Sequence, residues 1–204
     1  LHGSPFVPEA APAPNTTSGM ATTSSSSGFQ SPQELIEAMN AIPQLGTTES
    51  LKLPVNLQDF YVANDEAGEK ILAFLDGLYS STYNLLTAVK DNFSQEDFEE
   101  MLRQQAAGGF EFKDTIDVST ISVNGDTATA RNAKGKTLTL INTPNGWKNQ
   151  IQGVGQEAEI LNMMVEMLGP MIDVMNEAAE QVNNGTITTI EDLQAMMMNA
   201  SNPF

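Results

Sequence analysis

An aspartate flanked by apolar residues, in FEFKDTIDV, is the side chain of this sequence best placed to do chemistry. Alternation along an extended strand puts Asp114 on one face with Phe112 and Ile116. Apolar neighbours raise a carboxyl pKa and suit the group to act as a general base or a hydrogen-bond donor. A phenol would have to assist it, and Tyr79 and Tyr83, on a long predicted helix, are the candidates. The competing reading ends the strand at Asp114 and leaves its carboxylate solvated or bonded to backbone. A second set suits ligand binding: Asn142 and Asn149 as direct cross-strand neighbours beside Trp147, with Asp126 two strands away. The competing and simpler reading places these residues at the open end of the sheet, where its inner face meets water, with Trp147 as core.

Other chemistry is excluded by composition. The chain has no cysteine, and its one histidine, His2, falls in the first thirty residues, so disulfides, thiolate catalysis, histidine triads and the usual zinc sets are out of reach of the folded part. No cofactor is implied, and no calcium loop fits: DNFSQED lacks the central glycine and the terminal glutamate. A net charge of -17 over 204 residues repels nucleic acid and anionic membrane surfaces. No apolar run is long enough to span a bilayer. The methionines Met163, Met164, Met167, Met171 and Met175, then Met196 to Met198, exceed what one packing stripe needs and invite a second reading as an adaptable binding surface.

The elements that would position these residues fall into three parts. Residues 1–30, rich in Pro, Ala, Ser and Thr, read as a disordered tail. The chain begins with Leu; a removed signal peptide is one reading and predicts an exported protein, with a cytoplasmic one as the alternative. Residues 31–153 read as an α+β domain. SPQE supplies a serine cap, a proline at the first helical position and Glu34 at N3, predicting a helix to Ile42. A helical stretch over 64–91 is interrupted at Gly77 and Ser80-Ser81, and Ser94 caps a third helix. From Phe110 the period becomes two. Three turns, at Asn124-Gly125, Ala133-Lys134-Gly135 and Asn145-Gly146, give a four-stranded antiparallel meander. Its inner face carries Ile121, Val123, Ala128, Ala130, Leu138, Leu140, Trp147 and Ile151; its outer face is lined by threonines. A parity break between Val118 and Ile121 predicts a β-bulge near Ser119-Thr120, and the small central alanines of the curved sheet leave a hollow. Residues 154–204 read as a C-terminal extension: a long amphipathic helix kinked at Gly169-Pro170, packed on the sheet or across its mouth, then a short one capped by Thr188.

The phrase VNGDTATARNAKGKTLTLINTPNGWKNQI resembles the sheet of the NTF2-like (cystatin-like α+β cone) superfamily, in particular uncharacterised exported bacterial members in which a GDTA hairpin precedes a strand beginning GWK. EQVNNGTITTIEDLQAMMM is similar to the two-helix C-terminal extension of some of them. The resemblance covers roughly residues 31–198 and implies helices packed on a curved antiparallel cone. Enzymes of the superfamily, such as ketosteroid isomerases and scytalone dehydratases, place Asp, Tyr or His inside the cone. Two functional readings follow. One is a non-enzymatic domain that binds a small apolar molecule or another protein, or has a structural role. The alternative is a cofactor-free lyase or isomerase acting on a small apolar substrate, with Asp114 as base and a helix tyrosine as donor. A homodimer through the threonine face or the methionine helix is compatible with both.

Overall fold

The computed structural model describes residues 28–44, 47–52, 54–107, 115–153 and 156–200. Helix α1 (Pro32–Ala41) is followed by two 3₁₀ turns, strand β1 (Tyr61–Ala63), helices α2 (Glu66–Asn92) and α3 (Gln95–Ala107), strands β2 (Ile116–Asn124), β3 (Thr127–Asn132), β4 (Thr137–Thr143) and β5 (Gly146–Ile151), then helices α4 (Gln156–Asn183) and α5 (Ile190–Ala200).

Helix starts follow the capping signals closely. Ser31 Oγ accepts the Glu34 N–H at 3.1 Å, and the Glu34 carboxylate accepts the Gln30 N–H at 2.8 Å; such a cap contributes about 1 kcal/mol. Asp65 caps α2 by accepting the Gly68 N–H at 2.6 Å, and Ser94 caps α3 through the Asp97 N–H at 3.2 Å. At α5 the cap is Thr189, which accepts the Asp192 N–H at 3.2 Å, one residue later than the expected Thr188. The expected break in α2 does not occur. Ser80 and Ser81 turn their hydroxyls back onto the carbonyls of Asp76 and Leu78. Gly77 instead admits a neighbour, since a Cβ there would lie 3.2 Å from Ile172 Cδ1 of α4. Helix α4 is one element with Pro170 inside it.

The sheet is five-stranded and mixed, in the order β1-β5-β4-β3-β2. Strands β2 to β5 form the expected meander; β1, unforeseen, pairs in parallel with β5 through Tyr61↔Asn149. The β3–β4 register is as expected, with Ala128 opposite Leu140 and Ala130 opposite Leu138. Both tight turns differ from expectation. In the first the loop is Gly125-Asp126, so Val123 faces Ala128 rather than Asp126; Gly125, with φ 61°, takes the first loop position, the arrangement of a type II′ turn. In the second the loop is Pro144-Asn145, so Leu140 faces Asn149 and Asn142 faces Trp147. Proline fixes a negative φ at that first loop position, which excludes a primed turn, and the left-handed residue moves on to Gly146 with φ 91°. Each slip is by two residues in pairing, so no side chain changes face.

The expected bulge is present and larger than one residue: between Asp117↔Arg131 and Ser122↔Thr129, four residues of β2 face Ala130 alone. Asp117 organises it, accepting from the Ser119 N–H and hydroxyl at 2.9 and 2.7 Å. Thr120 Oγ1 takes the place of a strand carbonyl for the Arg131 N–H at 2.8 Å. An odd excess preserves the inner set, and Val118 and Ile121 both pack inward. Val123, on the same face, stays exposed.

Two cores result. Leu35, Ile36 and Met39 of α1 pack on Ile116, Ala128, Ala130, Leu140 and Trp147, so the space left by the alanines receives a helix. Each large side chain buried there contributes roughly 1.5–3 kcal/mol. Asn40 locks the pair, exchanging hydrogen bonds with both backbone groups of Ile116 at 2.9 Å. The second core joins α2, α3, α4 and α5 through Phe74, Leu78, Leu85, Val89, Phe98, Met175, Val182 and Leu193. Helix α4 therefore packs on α2, where the expectation is a seat on the sheet or across its mouth; its apolar row finds the long stripe of α2. Asp65 joins the two halves, its second oxygen accepting the Gly153 N–H at 3.2 Å just beyond β5.

Candidate functional site

The residues singled out from sequence do not converge. Asp114 lies outside the described residues, as do Phe110 and Phe112. Tyr79 is buried on α2 with its hydroxyl unpartnered, and burial pushes its ionisation above the ordinary tyrosine value. Trp147 is core between α1 and the sheet, with Asn149 buried two residues on. Asn142 is exposed, one strand pairing away from Asn149 because of the Pro144 turn. It meets Asp126 instead: the Asn142 N–H donates to the Asp126 carbonyl at 2.8 Å, and its amide lies 3.5 Å from the carboxylate. That pair sits in the open at the end of two hairpins.

A groove of about 360 Å³ opens elsewhere, between α2 and α4, and of the earlier candidates only Tyr83 lines it. The two helices run in the same direction. Gly77 lies against Ile172, Ser81 Oγ is 3.9 Å from Met175 Sδ, and Asn92 donates to Asn183 Oδ1 at 3.1 Å. Small residues let the axes approach, and just beside the seam the lining departs from apolar. Tyr83, Asn84 and Thr87 come from α2; Asn176, Glu180 and Asn183, spaced along one face, come from α4; Ala88 and Ala179 are apolar between them.

Thr87 is the unusual member. Its hydroxyl is buried and has no hydrogen-bond partner, although a helical threonine can ordinarily bond the carbonyl a turn before it. Leaving such a group unpaired costs roughly 1–3 kcal/mol. Besides this buried hydroxyl, the lining offers the Tyr83 hydroxyl, three amides and one carboxylate, and no cation. Each of these polar groups can accept a hydrogen bond, and the amides and the phenol can also donate one. No group of His, Cys, Asp or Glu suited to a metal ion occurs among the described residues, and no described helix is long and apolar enough to cross a membrane.

Sequence reasoning missed Asn84, Thr87, Asn176, Glu180 and Asn183 because polar residues on amphipathic helices read as a solvated face. No family model matches this chain, and neither a curated protein nor a solved structure is significantly similar to it.

Proposed function

We propose that this chain is a non-enzymatic binding domain of NTF2-like type, exported, whose ligand is a small, neutral, polyhydroxylated molecule held between α2 and α4. The observation that carries the ligand class is the groove's lining, the Tyr83 hydroxyl with the Asn84, Asn176 and Asn183 amides and no cation. Amides and hydroxyls both donate and accept, which matches a polyol; an anion would meet Glu180 and no counter-charge. The superfamily assignment is supported by a first helix seated on the inner face of an antiparallel meander, with a bulge in its first long strand. The hollow first expected to hold an apolar ligand is occupied by Leu35, Ile36 and Met39, which moves the binding reading from the sheet to the helices.

Titration of the labelled protein with a panel of monosaccharides, inositol and glycerol, followed by amide chemical shifts, tests the reading. Shifts confined to residues 83–88 and 176–183, lost in Asn176→Leu, are expected. An unresponsive spectrum up to about 10 mM of every probe, the millimolar range being where weak polyol sites bind, would sink it.

A further inference from the structure

The first half of α4 carries an apolar row that the fold leaves uncovered: Ile160, Met163 and Met167 are 53, 66 and 68 % exposed. Their spacing of three and four is that of a and d positions in a heptad, and Val174 continues the a positions. Glu159, Glu166 and Asp173, all exposed, precede these a residues at every heptad and form a uniformly acidic g row. No lysine or arginine occurs anywhere after Lys148, so nothing in α4 or α5 neutralises that row. A second copy of the helix laid antiparallel would bring acid against acid, and an anionic surface would be repelled. A partner helix with apolar a and d residues and lysine or arginine flanking them meets both features at once. Methionine, unbranched and polarisable, adapts to such a partner.

We propose that the exposed face of α4 formed by Ile160, Met163 and Met167 and bordered by Glu159, Glu166 and Asp173 docks a basic amphipathic helix of another protein. The test is fluorescence anisotropy of the full chain with a labelled synthetic helix of about four heptads, Leu at a and d and Lys at e and g. Saturable binding is expected. The double variant Met163→Gln/Met167→Gln, on exposed positions, should weaken it by roughly tenfold or more, as loss of central apolar anchors does. Glu159→Gln/Glu166→Gln/Asp173→Asn should weaken it and flatten its salt dependence. A control, Glu96→Gln/Glu99→Gln on α3, should leave it unchanged. The proposal is overturned by absence of binding or by a control variant that loses as much as the methionine variant. It is equally overturned by a homodimer in sedimentation that Met163→Gln/Met167→Gln dissolves, since the face would then belong to a second copy.

Discussion

Asn40 and Asn132, in the sheet half, meet backbone groups at hydrogen-bond distance: Asn40 both groups of Ile116, Asn132 the N–H groups of Lys134 and Lys136 at 3.1 and 2.8 Å. Tyr79 and Thr87, in the helical half, bury hydroxyls that meet nothing. The contrast extends to apolar residues. The sheet core takes in Leu140 and Trp147 almost completely, whereas α4 leaves Ile160, Met163 and Met167 in the open. One half is arranged for stability, with its polar groups matched inside the chain. The other buries unmatched hydroxyls at a cost and leaves an apolar row in the open, and an exposed apolar row is what a binding surface needs.

Substitutions can break that comparison. The largest effect belongs to the sheet core: Leu140→Ala should cost roughly 2–5 kcal/mol in urea unfolding, because Leu140 of β4 is fully buried in the core that α1 closes. Next comes Asn40→Ala, which strands the Ile116 N–H and carbonyl and should cost roughly 1–3 kcal/mol in the same measurement. In the helical half the sign reverses. Thr87→Val and Tyr79→Phe each remove a buried hydroxyl with no partner and should raise the melting temperature, by the equivalent of about 1 kcal/mol. A loss of stability in both would mean that these hydroxyls are matched after all.

The smallest effects are those of pH. Burial raises the pKa of Tyr61 and Tyr79 in the folded state, so the stability gained by keeping them neutral is complete below the ordinary tyrosine value of about 10 and is lost as pH rises through their folded values. Absorbance at the phenolate band should show two late-ionising tyrosines that become ordinary in denaturant. At the acid end, the Ser119 hydroxyl and N–H hold the exposed Asp117 carboxyl below its usual value. The bulge should therefore be firm above the ordinary aspartate value of about 3.9 and loosen as pH falls through the lower folded one, which the Ser119 amide resonance would report.

What could be read from the sequence was local. Ser31, Ser94 and the alternation from Ile116 to Ile151 each act within a few residues, and the elements they predict are present. The two misplaced turns were still local errors, decided by which loop position Gly125 takes and by the fixed φ of Pro144. Strand β1 escaped notice because three residues carry no period. The groove could not be foreseen, because whether Thr87 finds a partner depends on α4, some ninety residues further along. The placement of α4 on α2 also depended on tertiary choice: amphipathicity says that a stripe is buried, not against what.

The common direction of α2 and α4 has an electrical consequence. Peptide dipoles in the two helices point the same way, so their partially negative carboxyl-terminal poles lie side by side near Asn92 and Asn183. The Asn92 amide answers this by donating to the Ala88 carbonyl at 2.9 Å and across the gap to Asn183, placing hydrogens between two regions of excess electron density. Like poles repel, so the dipoles favour splaying this end of the helix pair, and it is dispersion and apolar contact along the Gly77, Ser81 and Ala179 seam that keeps it shut.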